Sequence, residues 1–140
     1  MNYLHTMIRI TNIEESLRFF CEGLDLEEVR RKDYEKGRFT LIFLKAPKDA
    51  YVQLELTYNW DGDDLGSASR NFGHIAYRVD DLYASCQRLI DMGYTINRPP
   101  RDGHVAFVRS PDNISIELRP SGGDQDPAEP WVSMPNVGSW

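Results

Sequence analysis

Residues 72–81 have the sequence FGHIAYRVDD, and this stretch decides how the rest of the chain is interpreted. Because alternate side chains of a β-strand lie on opposite faces, its isoleucine, tyrosine and valine would form an apolar face, while His74 and Arg78 would project from the other. A similar stretch, HTMIRI at residues 5–10, again places an arginine four residues after a histidine. The recurrence predicts a duplicated module that carries paired polar sites.

Composition limits the classes of protein to consider. The chain has 140 residues, of which 41% are hydrophobic, enough for about one domain with a real core. Its formal net charge of -6 and its isoelectric point near 5.0 argue against nucleic acid and anionic membranes as partners. A basic leader and an apolar run of about 20 residues are both absent from the sequence, so we expect a cytoplasmic protein that binds small molecules or other proteins.

The first module is predicted to contain a strand, a helix and about three further strands. Asn12 can cap a helix, and Glu15, three residues later, can complete a capping box. The helix is expected to bury an apolar stripe made of Leu17, Phe20, Cys21 and Leu24. Strands are expected at residues 3–10, 26–31, 38–44 and 51–58. The acidic segment 61–70 is expected to link the two modules.

The second module repeats this plan. Asp81 can cap a helix that ends at Gly93 and buries the apolar stripe Leu82, Cys86, Leu89 and Ile90. After the opening strand, further strands are expected at residues 94–97, 105–109 and 114–119. Neither cysteine belongs to a metal-binding pair, so we expect buried, reduced thiols at both positions.

One histidine on the first strand and one glutamate on the last strand of each module stand at equivalent positions. These side chains are His5, Glu55, His74 and Glu117. Mixed nitrogen and oxygen donors suit a borderline or hard divalent ion that keeps open positions for water or substrate. A single histidine on a strand is more often structural, but duplication, strand position and face agree for all four residues. The pattern therefore favours a metal site.

Two arginines and the remaining histidine leave alternatives open. Arg9 and Arg78 follow the two ligand histidines, and either can bind a carboxylate or close a structural ion pair. His104 follows a turn-like RDG sequence and is equally consistent with a solvent-exposed position. It is therefore left outside the predicted metal site.

Four segments carry a resemblance to a known family: LHTMIRI at 4–10, ELTYNW at 55–60, FGHIAYRVDD at 72–81 and SPDNISIEL at 110–118. In this order and at these spacings the chain resembles the glyoxalase I family, the lactoylglutathione lyases of the vicinal oxygen chelate superfamily. The resemblance implies an α+β fold of tandem βαβββ modules that form a curved sheet cup, completed in a homodimer. It implies one domain over residues 1–120, with modules at about 1–60 and 71–120.

The resemblance also implies a reaction. The hemithioacetal of glutathione and methylglyoxal would be isomerised to S-lactoylglutathione by a proton shift through an enediolate, which a metal held by the four ligands would stabilise. Glu117 would be the base, with Glu55 as its partner, and the two can exchange roles. Glutathione would contact Arg9, Asn59 and Arg70. Many family members carry a lysine-containing loop that is shorter here, with Arg101 or His104 as candidate substitutes.

The activating metal follows from the same resemblance. The short linker and the lack of an N-terminal extension are similar to the bacterial subgroup that uses nickel or cobalt, rather than to the longer zinc-activated subgroup. Imidazole and carboxylate donors alone do not select one ion. Nickel or cobalt is therefore the predicted activator, with zinc as the alternative.

Other functional classes compete with this prediction. An extradiol dioxygenase would need only His5, His74 and Glu117, whereas Glu55 as a fourth ligand leaves fewer open positions for oxygen and a catechol. A thiol transferase of the same superfamily is a further enzyme alternative. A metal-free ligand-binding protein would have no need of four coordinating side chains.

Residues 121–140 lie beyond the part of the chain that carries the resemblance. Their first half is rich in glycine, proline and acidic residues, a composition that favours an extended or mobile tail. The tail also carries the apolar residues Trp131, Met134, Val137 and Trp140. The alternative prediction is that these residues dock near the mouth of the active site.

Overall fold

The computed structural model describes residues 4–62 and 74–140 of the chain. The chain divides into two compact units, Met1–Ala68 and Ser69–Trp140, called module one and module two below. Each module contains one four-stranded sheet, in which the first strand of the module lies beside the fourth, the fourth beside the third and the third beside the second. The predicted succession of strand, helix and three strands therefore occurs twice. In the described part of the chain no helix is long and apolar enough to span a membrane.

Module one is built from four strands and one helical segment. The strands are β1 His5–Ile10, β2 Glu27–Tyr34, β3 Phe39–Lys45 and β4 Gln53–Asn59, and α1 spans Ile13–Leu17. Strands β1 and β4 are parallel, and the other pairs are antiparallel. Strand β2 is longer than the strand predicted at residues 26–31, because residues 32–34 continue the ladder with β3. All side chains of β2 are exposed. Its sequence therefore lacks the alternation of apolar and polar residues from which the length of a strand is predicted.

The first helix begins as predicted but continues differently. The Asn12 side chain accepts a hydrogen bond from the Glu15 backbone N–H at 3.0 Å, which confirms the N-cap. After Leu17 the chain forms a π-helical segment, Arg18–Gly23. Because a π-turn contains more residues than an α-turn, it rotates the following side chains about the helix axis. As a result Phe19 is buried, whereas Cys21, predicted to be buried, is half-buried.

Module two repeats the plan with a regular helix. Its strands are β5 His74–Val79, β6 Ile96–Arg98, β7 Ala106–Arg109 and β8 Ser115–Pro120, and α2 spans Leu82–Asp91. The Asp81 side chain caps α2 through the Ala84 N–H, and this bond, with that from the Gln125 amide, holds the pKa of Asp81 below its ordinary value. Gly93 has φ +92°, the left-handed conformation that ends a helix. Both predicted ends of α2 are thus confirmed.

The cysteines differ in burial. Cys86 is fully buried on the apolar stripe of α2, and loss of solvent raises the pKa of its thiol to about 12. Both cysteines are free of disulfides. The prediction of a buried, reduced thiol is confirmed for Cys86, whereas Cys21 is only half-buried.

Residues 121–140 run along module two and are fixed to it at several points. The indole of Trp131 is 4% exposed and stacks on Tyr83 of α2 with ring centroids 5.8 Å apart. The Gln125 side chain accepts hydrogen bonds from the first N–H groups of α2, at Leu82 and Tyr83. Its backbone N–H donates to the Gly103 carbonyl at 3.0 Å. The tail therefore supplies part of the cap of α2 and part of the apolar packing of module two.

The loop before β7 is stabilised by a carboxylate. Burial would raise the pKa of Asp102, but hydrogen bonds from Arg98 and the His104 N–H outweigh it and lower the pKa to about 2. Since the folded pKa lies below the unfolded value of 3.8, the stabilisation is complete above about pH 4 and is lost as the pH falls towards 2.

We expect Asp102→Asn to lower the free energy of unfolding at pH 7. The carboxylate side chain is 48% exposed and partly screened by solvent, so the expected loss is about 1 kcal/mol. Urea unfolding at pH 7, 5, 4 and 3 measures it. The difference between wild type and variant should be constant from pH 7 to 5 and shrink at pH 3. A difference that does not depend on pH would show that the carboxylate charge is not its source.

Candidate active site

The first pair of predicted ligands lies together on the sheet of module one. His5 Nε2 is 3.1 Å from Glu55 Oε2, and the two side chains are 34% and 13% exposed. Strand β1 is parallel to β4, and Met7 is the register partner of Glu55. His5 and Glu55 are therefore diagonal neighbours on the same face of the sheet. The module thus presents one nitrogen and one oxygen donor side by side.

The second pair repeats this geometry in module two. His74 Nε2 is 2.6 Å from Glu117 Oε2, and the two side chains are 43% and 16% exposed. Strands β5 and β8 are parallel, and the register partner of Glu117 is Ala76, two residues after the histidine. The diagonal relation is the same as in module one. In both pairs the carboxylate is largely covered and the imidazole is the more open partner.

Each pair is accompanied by a phenylalanine that the sequence analysis missed. Phe43 is the register partner of Glu55, and its ring lies edge-on to His5 with centroids 6.2 Å apart. Phe107 is the register partner of Glu117, and its ring lies edge-on to His74 at 5.4 Å. Both phenylalanines belong to the strand that precedes the glutamate strand. Their place beside the histidines depends on the register of neighbouring strands, which the sequence pattern alone does not specify.

The two phenylalanines are covered by different groups. In module one the Arg30 guanidinium lies 3.9 Å from the centre of the Phe43 ring. In module two the last residue, Trp140, stacks on Phe107 with centroids 6.0 Å apart and an angle of 29° between the rings. We call the His5–Glu55 pair the first half-site and the His74–Glu117 pair the second half-site. The two half-sites have the same predicted ligands, but the phenylalanine of the first is covered by an arginine and that of the second by a tryptophan.

Two of the predicted glutathione contacts also lie together. Arg9 Nη1 donates a hydrogen bond to Asn59 Oδ1 at 2.9 Å, at the end of the β1–β4 ladder. Both residues are on the strands that carry His5 and Glu55. The third predicted contact, Arg70, lies outside the described residues.

The two candidate substitutes for the lysine loop are both engaged by the tail. Arg101 donates to the Met134 carbonyl at 2.9 Å. His104 Nδ1 lies 2.5 Å from Asp124, and its Nε2 accepts a hydrogen bond from Arg119 at 2.7 Å. The Arg119 Nε is in turn 3.9 Å from Glu117 Oε1. These contacts connect the loop and the tail to the second half-site and give both residues structural partners.

Arg78, which repeats Arg9 in the sequence, makes a weaker contact. Its Nη1 donates to the Pro120 carbonyl at 3.4 Å. This contact joins Arg78 on β5 to the backbone at the end of β8.

The donor chemistry of each pair fits a divalent metal ion. An imidazole nitrogen and a carboxylate oxygen on one face are a common combination for borderline and hard ions. Within residues 4–62 and 74–140, no group of three or more histidine, cysteine or acidic side chains is close enough to hold an ion. Each module thus contributes two donors, and a site made of all four stays a prediction.

Comparison with known proteins identifies the family. A family model described as the Glyoxalase/Bleomycin resistance protein/Dioxygenase superfamily matches residues 2–118. The chain belongs to this superfamily. Membership confirms the resemblance carried by the four sequence segments and the prediction of tandem βαβββ modules.

The sequences of similar proteins align with about nine-tenths of this chain. It is 43% identical over 134 residues to a lactoylglutathione lyase of Neisseria meningitidis, with 89% of this chain and 95% of the relative covered. It is 40% identical over 134 residues to a probable lactoylglutathione lyase of Synechocystis, with 90% and 100% covered. The solved structure of the trypanothione-dependent glyoxalase I of Leishmania major aligns with a TM-score of 0.80 at 32% identity, covering 87% of this chain and 88% of that one.

Proposed function

We propose that this glyoxalase-superfamily protein is a lactoylglutathione lyase, a carbon–sulfur lyase that isomerises the hemithioacetal of glutathione and methylglyoxal to S-lactoylglutathione. The observation that carries the proposal is the pair of equivalent histidine–glutamate half-sites, His5 with Glu55 and His74 with Glu117. Relatives named lactoylglutathione lyase that match this chain over nearly their full length support the same reaction.

The reaction requires a base that removes a proton from the hemithioacetal carbon and returns a proton to the neighbouring carbon. We assign this base to Glu117, whose carboxylate is largely covered and lies 2.6 Å from His74. A carboxylate within hydrogen-bond reach of the reacting carbons can both take up the proton and return it. Glu55 is the equivalent group in module one, and we propose that it serves the opposite face of the substrate.

A divalent ion held by these four residues would supply a Lewis acid for the substrate oxygens. We propose nickel or cobalt as the activator, with zinc as the alternative. The histidines, whose rings are the more open partners, would bind the ion through Nε2. The phenylalanine beside each histidine would limit rotation of the imidazole and exclude water from one side of the donor pair.

Arg9 and Asn59 are the proposed contacts to glutathione in module one. The hydrogen bond between them holds the guanidinium beside the Asn59 amide. A guanidinium is suited to a carboxylate of glutathione because it can donate two parallel hydrogen bonds to it. Arg70 is proposed as a third contact. A homodimer in the cytoplasm is part of the same proposal, and sedimentation equilibrium tests the dimer through its mass.

The proposal is tested by adding one metal at a time to chelator-treated protein and following thioester formation from methylglyoxal and glutathione. We expect no activity without metal, and higher turnover with nickel or cobalt than with zinc. Equal turnover with zinc would contradict the metal assignment. Failure to form a thioester with any of the three ions would contradict the proposed function. Because one relative is described as trypanothione-dependent, a parallel assay with trypanothione determines which thiol is preferred.

A further inference from the structure

The end of the tail is held against module two by backbone and side-chain hydrogen bonds. Val137 and Asn97 exchange two bonds, in which the Val137 N–H donates to the Asn97 carbonyl and the Asn97 amide donates to the Val137 carbonyl, both at 2.9 Å. Arg109 Nε donates to the Ser139 carbonyl at 2.7 Å. These bonds connect the tail to β6 through Asn97 and to β7 through Arg109, and they fix the position of the backbone just before Trp140.

The final residue then lies beside the second half-site. Trp140 stacks on Phe107, and Phe107 lies edge-on to His74, so a continuous row of rings connects the tail to a predicted metal ligand. The Trp140 side chain keeps an open surface, since the residue is 40% exposed. An exposed indole whose backbone is already fixed can contact a ligand favourably, because the side chain loses little conformational entropy when a ligand stacks on it.

Among the described residues of module one, no aromatic ring stacks on Phe43 as Trp140 stacks on Phe107. The face of Phe43 is covered instead by the charged guanidinium of Arg30, which lies on strand β2. Within residues 4–62 and 74–140, the aromatic row therefore occurs in module two alone. It arises from the tail, which lies outside the part matched by the family model, residues 2–118.

We propose that Trp140 is a specificity-determining residue that contacts the carbon substituent of the aldehyde and favours aromatic 2-oxoaldehydes over methylglyoxal. This inference rests on the proposed function. The methyl or phenyl substituent of the aldehyde is only a few bonds from the two substrate oxygens, which would lie next to the predicted metal ligands. Most of the glutathione portion extends away from these oxygens. A phenyl substituent beside His74 would therefore meet the Trp140 and Phe107 rings, and a methyl group would make far less contact with them.

The test compares the glutathione hemithioacetals of phenylglyoxal and methylglyoxal in wild type, Trp140→Ala and Trp140→Phe. We expect Trp140→Ala to lower kcat/KM for the phenylglyoxal adduct about fivefold to tenfold, as the loss of one aromatic contact predicts, and that for the methylglyoxal adduct about twofold. Trp140→Phe should restore most of the loss. Val132→Ala is the matched tail control, because Val132 is 44% exposed and lies outside the ring contacts given above.

A second readout does not depend on turnover. Cobalt(II) bound at the half-site should quench the fluorescence of an indole held one ring away from His74. We expect cobalt to quench less fluorescence in Trp140→Phe than in wild type, because the emission of Trp140 is missing from the variant. Isothermal titration with cobalt shows whether both proteins bind the ion equally.

The outcomes separate the inference from the function on which it rests. Equal losses for both aldehydes in Trp140→Ala, or no loss for either, would overturn the role of Trp140 and leave the proposed function intact. Quenching that is identical in Trp140→Phe and wild type would also overturn it, because the indole would then lie away from the site. No thioester from either aldehyde in the wild type would overturn the proposed function instead.

Discussion

Glu117→Gln is expected to lower kcat for S-lactoylglutathione formation by about a thousandfold. The amide keeps the shape of the side chain and its place beside His74, but it cannot accept the substrate proton, and general base catalysis contributes about 10²–10⁴ in rate. Steady-state kinetics with nickel-reconstituted protein measure the effect. A carboxylate at this position is also a predicted ligand, so metal content must be measured on the same samples.

The control for this substitution is Glu28→Gln. Glu28 lies on the exposed strand β2 and forms a two-point ion pair with Arg31, at 2.8 and 2.7 Å, within that strand. Its loss should leave kcat within about twofold, since exposed ion pairs contribute little. If Glu117→Gln bound a full equivalent of nickel and kept more than a tenth of the wild-type kcat, Glu117 would not be the base.

The second large effect is expected in stability. A Cβ placed on Gly103 would lie 1.8 Å from the Gln125 carbonyl oxygen, and Gly103 has φ +67°, a conformation that other residues rarely adopt. Gly103→Ala must therefore push the tail away and weaken the cap that Gln125 forms on α2. We expect the free energy of unfolding to fall by about 3 kcal/mol in urea titrations.

Gly123→Ala separates the clash from the backbone strain. Gly123 also has positive φ, +94°, but nothing lies within 4 Å of a Cβ placed there. Its substitution should cost only about 1–2 kcal/mol, the cost of the left-handed conformation alone. Fluorescence adds a structural readout, because release of the tail would expose Trp131 and shift its emission to longer wavelength. Equal destabilisation by both substitutions would show that the tail is not packed against Gly103.

The sequence predicted those features of the fold that depend on local chemistry. Asn12 and Asp81 cap the two helices because a short polar side chain can accept from the N–H three residues later. The His5–Glu55 and His74–Glu117 contacts followed from alternation along strands and from the duplication. In these cases one residue type at one spacing determines the geometry.

The remaining features depend on contacts between distant parts of the chain. The π-helical segment changes which side chains after Leu17 are buried. The sequence does not reveal this segment, because neither glycine nor proline marks its start at Arg18. The tail has a polar composition, yet Trp131 and Gln125 fix it through partners more than 20 residues away. Phe43 and Phe107 could not be distinguished from ordinary core residues before the register of their strands was known.

The most direct test of the proposed function is identification of the product. Nickel-reconstituted protein is incubated with methylglyoxal and glutathione, and the mixture is followed by proton NMR. We expect the hemithioacetal signals to be replaced by the lactoyl methyl doublet of S-lactoylglutathione, with no consumption of oxygen. An unchanged hemithioacetal, or a product that appears only when oxygen is consumed, would contradict it.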